Sequence, residues 1–209
     1  MEPFATITAT AAPLDRANVN TDQILPARYI KKPRGPGYAE YCFHDLRLDD
    51  DGRERPEFPL NQPRFRDARI LVSDINFGCG SSREGAVYAL QDFGFRVVIA
   101  PSFGDIFASN CLKNGMLTVR LPADAAARLR RQLADLEQPV MTVDLEAGTI
   151  VCGNRTIGFT IDPFEKECLL TGLNEIDLSL RHEAEIAAFE KDYRQRFRWQ
   201  FSALKPTGG

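Results

Sequence analysis

Ile70-Leu71-Val72, followed by Asn76-Phe77-Gly78-Cys79-Gly80-Ser81-Ser82-Arg83-Glu84, decides the reading of this chain. The apolar run predicts a buried strand. Beyond the loop, Ala86, Val87, Leu90 and Phe93 fall on one helical face, and Gly94 stops the pattern. A glycine-rich loop thus carries two hydroxyls and a guanidinium to the start of a helix. Free N–H groups and the positive end of the helix dipole favour an anion there. Arg83 adds a planar fork suited to a carboxylate or phosphate. The loop is built to hold a small acid.

Other glycine loops do not fit. A nucleotide-binding P-loop needs Gly-Lys-Ser/Thr, and no lysine stands here. A dinucleotide fingerprint needs a third glycine where Arg83 stands. A nucleophile elbow needs glycine two residues to each side of its serine, and neither Ser81 nor Ser82 has that. A purely structural alternative stays open: Ser81 caps the helix and Glu84, three residues on, reaches back to close a capping box.

Outward from the loop, strand and helix signals alternate. Residues 69–74 predict a strand, 83–93 a helix and 95–100 a strand. A helix is expected over about 103–113, with Ser102 as its N-cap and Gly115 just past its end. Strands are expected at 116–121, 140–144, 149–152 and 156–161, with an amphipathic helix over 123–136. Gly153-Asn154 suits a hairpin. On the N-terminal side, 5–14 predicts a strand and Asn18 to Asp22 a polar loop with Asx-type turns. Lys31-Lys-Pro-Arg-Gly-Pro-Gly37 is a basic loop, 38–46 a short helix, and 48–66 a charged, proline-rich surface excursion. Helical segments close the chain, the last over about 182–198, before a mobile Lys205-Pro-Thr-Gly-Gly tail. These signals predict an α/β or α+β chain with no repeat and no interdomain linker: one domain over 1–209, with 182–209 as a C-terminal helix and tail.

Gly80-Ser-Ser-Arg-Glu84 at a strand-to-helix turn resembles the small swivelling domain of the aconitase superfamily. The full stretch from Asn76 to Glu84 most resembles the small subunits of 3-isopropylmalate dehydratases. Asn18-Val-Asn-Thr-Asp22, Val97-Val-Ile-Ala-Pro-Ser-Phe103 with Asp105-Ile-Phe107, and Phe159-Thr-Ile-Asp162 agree in order and spacing. The resemblance runs from about Leu14 to about Ala188. It implies the swivelling β/β/α fold, a mixed sheet flanked by helices. It also implies a hydro-lyase of leucine biosynthesis that interconverts 2-isopropylmalate and 3-isopropylmalate by dehydration and rehydration. Ser81 matches the family's catalytic base. Ser82 matches a serine that hydrogen-bonds substrate, Arg83 the arginine that pairs with a substrate carboxylate, and Arg34 a second substrate contact in a covering loop. Thr21, Asp22 and Glu84 are expected to support the site. The resemblance places an iron–sulfur (4Fe-4S) cluster in a large partner subunit and none in this chain.

Three departures stand out. Gly85 occupies the family's usual histidine position, Val87-Tyr88 the usual Pro-Trp, and Asn20 the usual aspartate. They leave room for a paralogous hydratase acting on citramalate- or dimethylmalate-like acids. A reading of another class is a non-catalytic carboxylate-binding module.

Composition limits the partners. The chain has 209 residues, 44% hydrophobic and 26% charged, an ordinary globular balance. A net charge of -3 gives no pull toward nucleic acid or anionic membrane. No apolar run approaches the roughly 20 residues needed to span a bilayer. The start, Met1-Glu2-Pro3-Phe4, has neither a basic nor an apolar leader segment, so no secretory signal is expected. Five irregularly spaced cysteines without a C-x-x-C fit reduced cytoplasmic thiols and predict no metal site. His44 and His182 are expected to be ordinary packing or surface residues.

Overall fold

A computed structural model describes residues 1–201. The Lys205–Gly209 tail, expected to be mobile, lies outside the described residues. The chain divides into two compact units, Met1–Gly172 and Leu173–Gly209.

The first unit opens with strand β1 (Thr6–Pro13) and a short helix α1 (Thr21–Ile24). Two 3-10 turns and helix α2 (His44–Arg47) precede two further 3-10 turns, Pro59–Asn61 and Pro63–Phe65. Then follow β2 (Ile70–Val72), α3 (Glu84–Phe93), β3 (Val97–Ala100), α4 (Asp105–Lys113), β4 (Leu117–Arg120) and α5 (Ala123–Asp135). Strands β5 (Val140–Asp144), β6 (Thr149–Cys152) and β7 (Arg155–Gly158) and helix α6 (Pro163–Thr171) complete it.

Among the described residues these strands form one seven-stranded sheet in the order β4-β3-β2-β1-β5-β6-β7. The first four are mutually parallel, with Ala11 opposite Ile70, Ile70 opposite Val97 and Val97 opposite Leu117. The other three add antiparallel. The parallel part explains the apolar runs. Covered on both faces, β2 and β3 have no exposed side to make polar. Their side chains alternate between two cores. Ala12, Leu71 and Val98 pack on one face with Val87 and Leu90 of α3 and Phe107 of α4. Ala11, Ile70, Val72, Val97 and Ile99 pack on the other with Leu129 and Leu133 of α5 and Leu169 of α6.

Five local expectations change. The polar loop expected over Asn18 to Asp22 ends in a helix, α1, which Asn20 caps. Residues 38–46 do not form one helix. A 3-10 turn at Tyr38–Tyr41 is separated from α2 by Phe43, which adopts φ 51° and breaks the helical run. The 48–66 segment is not a surface excursion. Its charged residues face outward, but Phe58, Leu60 and Phe65 turn back into the first core. β7 (Arg155–Gly158) begins one residue earlier than expected and ends at Gly158, with Phe159 N–H still donating to the Gly148 carbonyl in the same register. Ser102 does not cap α4; Gly104 holds that position without a side-chain cap.

The second unit contains helices α7 (Glu175–Leu180), α8 (Glu183–Arg196) and α9 (Arg198–Phe201). Asn174 caps α7 in a reciprocal box with Asp177. The side chains of Tyr193, Phe197 and Phe201 meet in an aromatic group.

Candidate active site

Three loops leave the same ends of the parallel strands β1, β2 and β3, where open α/β sheets place ligands. They are laced together by backbone hydrogen bonds. Gly78 N–H donates to the Val19 carbonyl at 2.7 Å, and Thr21 N–H to the Cys79 carbonyl at 2.9 Å. On the other side Phe77 N–H donates to the Ser102 carbonyl and Gly104 N–H to that of Phe77. Ser102, freed from capping, accepts the Asn76 N–H with its hydroxyl at 2.9 Å. Gly78 is required in this lacing. It sits at φ 71°, and a Cβ there would lie 2.2 Å from the Phe107 ring.

The capping-box alternative is settled against Ser81. The N-cap of α3 is Arg83, with no side-chain cap. Glu84 does not reach back. Its carboxylate accepts Asn114 Nδ2–H at 2.9 Å. Burial, and after it the neighbouring Glu84 carboxylate, hold the Tyr88 phenol above its ordinary pKa. A true box forms instead at α1, where Gln23 N–H donates to Asn20 Oδ1 and Asn20 N–H to Gln23 Oε1. The hydroxyls of Ser81 and Ser82 are exposed and have no hydrogen-bond partner among the described residues.

The expected supporting residues do touch this loop. Buried Thr21 donates its hydroxyl to the Ser81 carbonyl at 2.9 Å, which fixes the peptide that carries the serine. Asp22 pairs with Arg83 Nη1. The Arg83 side chain is 19% exposed, so the pair orients a largely enclosed guanidinium.

A cleft of about 320 Å³ is lined by Ser82, Arg83, Glu84, Gly85 and Tyr88 of the α3 side and by Ile30, Lys32 and Arg34 of the basic loop. Ser81 precedes this lining by one residue. Arg34 lies on α3: its guanidinium stacks 4.5 Å from the Tyr88 ring centre and grips Asp92 through Nη2 at 2.6 Å and Nε at 3.1 Å. Residue spacing alone missed Tyr88 and Asp92 as partners of the loop. Their positions at i and i+4 on α3, in line with Gly85, were the available signal.

Gly85 is fixed by close approach. A Cβ there would come within 2.9 Å of Leu25 Cδ2 and 3.1 Å of the Tyr38 hydroxyl. Leu25 and Tyr38 are both buried. They stand beside Gly85 and line the same cleft, so a larger residue at 85 would have to displace them.

His44 pairs with Asp45, and His182 with Glu185. Among the described residues no group of three His, Cys, Asp or Glu side chains could hold a metal ion. Cys42, Cys111, Cys152 and Cys168 are buried, whereas Cys79 in the site loop is partly exposed. No described helix is long and apolar enough to cross a membrane.

The family model for the aconitase C-terminal domain matches residues 1–124. That for the C-terminal domain of the 3-isopropylmalate dehydratase small subunit matches 175–203. A 3-isopropylmalate dehydratase small subunit of Bacillus licheniformis is 49% identical over 200 residues, covering 95% of this chain and 98% of that protein. The protein of the same name in Paramagnetospirillum magneticum is 46% identical, covering 95% and 100%. A crystal structure of 3-isopropylmalate dehydratase from Methanocaldococcus jannaschii superposes with a TM-score of 0.62 at 27% identity, over 88% of this chain and 99% of that one. With the parallel sheet, the laced Gly-Ser-Ser-Arg loop and this similarity along nearly its whole length, the chain belongs to the 3-isopropylmalate dehydratase small-subunit family of the aconitase superfamily.

Proposed function

We propose that this chain supplies the base and a carboxylate clamp to a hydro-lyase that interconverts 2-isopropylmalate and 3-isopropylmalate. The observation that carries the reading is the free Ser81 hydroxyl. It is held by its backbone, excluded from capping, and set two residues before an arginine oriented by a carboxylate. Ser81 takes the proton from the carbon next to a substrate carboxylate. Arg83 pairs with a substrate carboxylate, Ser82 hydrogen-bonds the same molecule, and Arg34 is a second contact to it. An ordinary hydroxyl is a poor base, so the developing charge needs help. Arg83 and the free N–H groups at the start of α3 supply positive potential beside the loop. Thr21 and Asp22 keep Ser81 and Arg83 in place, and Glu84 ties the first turn of α3 to Asn114.

This donor set does not fit an iron–sulfur cluster: the cysteines are dispersed and no metal-binding group forms among the described residues. We assign the 4Fe-4S cluster to a large subunit. The relatives' name, small subunit, supports a partner of that kind. The thiols suit work in the cytoplasm.

The test is co-expression with a cluster-bearing large subunit and assay of both isopropylmalates. Turnover of either supports the reading. An assembled, cluster-loaded complex that turns over citramalate but neither isopropylmalate would move the substrate. Inactivity on all these acids would leave a binding module.

A further inference from the structure

The structure assigns Asp92 as a positioning residue for Arg34, acting through the outer ridge of α3. The inference rests on the reading of Arg34 as a substrate contact.

Arg34 sits in a loop rich in proline and glycine, which does not by itself fix a long side chain. Its guanidinium is nonetheless held on two sides. Asp92 grips one edge, through Nε to both carboxylate oxygens at 3.1 Å and through Nη2 at 2.6 Å. Tyr88 lies under one face at 4.5 Å. Tyr88 and Asp92 both belong to α3, so the two contacts join the loop to the same helix whose first turn follows Ser82 and Arg83. Nη1 of Arg34 has no hydrogen-bond partner among the described residues. Asp92 uses the edge of the fork that a ligand does not need and leaves a donor for a carboxylate or hydroxyl in the cleft.

A planar fork loses less freedom on binding when one edge is already fixed. Removing the Asp92 charge leaves Arg34 charged but free to swing. The cost should fall on substrate binding and not on proton abstraction, because Asp92 does not line the cleft that holds Ser82 and Arg83.

The test uses the complex reconstituted with its large subunit and steady-state kinetics on isopropylmalate. Asp92→Asn should raise KM about 3- to 10-fold at nearly constant kcat, the range of a partly exposed charge-assisted contact. Asp92→Glu should recover part of the loss. Arg34→Ala should raise KM at least as much, and adding Asp92→Asn to it should change nothing further. Tyr88→Leu, which removes the ring beneath the guanidinium, should show the same KM effect and the same dependence on Arg34. It replaces Asp92→Asn if that variant unfolds early. An unchanged KM in Asp92→Asn beside a raised KM in Arg34→Ala would overturn the inference alone. So would effects of the two substitutions that multiply. An Arg34→Ala complex with unchanged kinetics would overturn the role of Arg34 and this inference with it.

Discussion

The hydroxyl of Thr21 donates to the carbonyl oxygen of Ser81 at 2.9 Å, across 60 residues of sequence. The segment that follows the first parallel strand thereby holds the peptide that leads from the second strand into its helix. Thr21 is buried, and its own N–H is taken by the Cys79 carbonyl. Thr21→Val keeps the shape and removes the hydroxyl. Stability should fall by about 1 kcal/mol, the net worth of one hydrogen bond. The rate should fall further, by up to about 100-fold, because a small misplacement of a reacting group is costly. Thermal unfolding and kcat on one preparation check this. Equal, small losses in both would make Thr21 a packing residue only.

Arg83→Lys keeps the charge and discards the fork. Asp22 can still pair with an ammonium, so the fold should survive. Bidentate grip of a substrate carboxylate cannot. Breaking such a paired contact is worth about 2 kcal/mol or more, so kcat/KM should fall at least about 30-fold. The loss should appear for every dicarboxylate tested. A change below threefold would remove Arg83 from the clamp.

Gly85→His restores the residue usual in the family and should destabilise this chain. Its Cβ would press on Leu25 and on the Tyr38 hydroxyl. Overpacking of this kind costs about 1–3 kcal/mol, more than the few tenths of a kcal/mol, roughly, of helix propensity gained on going from glycine to histidine. Leu25→Ala in the same chain should return part of the loss, so the two substitutions will be non-additive. Unfolding midpoints of the single and double variants measure it. A Gly85→His chain as stable as the wild type would show that the contact yields freely.

Thiol labelling should single out Cys79. Burial pushes the thiols of Cys42 and Cys111 up, so near neutral pH they stay protonated and poorly reactive. Cys152 is raised by the same cause, and Cys168 is buried. In the native isolated chain a thiol reagent at about pH 8, near the ordinary thiol range, should modify Cys79 well before the others. All five should react in denaturant. Mass spectrometry of the labelled peptides reads the order. Rapid native labelling at Cys42 or Cys111 would contradict the packing of the first core.

The parallel part of the sheet was legible because burial on both faces leaves an unbroken apolar run, and 70–72 and 97–100 have one. The site loop was legible because glycines, hydroxyls and an arginine at a strand-to-helix turn have few other uses. The choice between its two meanings was not. Ser81–Glu84 and Asn20–Gln23 both carry the spacing of a capping box, and only the second forms one. What decides is tertiary: Asn114 takes Glu84, and Thr21 holds Ser81 from below. The 48–66 segment misled for another reason. Its charges outnumber Phe58, Leu60 and Phe65, yet those three side chains set its path. The Arg34–Asp92 pair spans 58 residues, and nothing in local pattern joins a proline-rich loop to the far end of a helix.

Ser81→Ala in the complex with the large subunit tests the role of Ser81 as base most directly. Ser81 caps nothing, so the variant should unfold within a few degrees of the wild type. Loss of a general base costs about 10²–10⁴-fold. The expected result is a fall in kcat of that size or more, with isopropylmalate still bound at close to its wild-type affinity. A folded Ser81→Ala complex that turns over at near the wild-type rate would contradict that role.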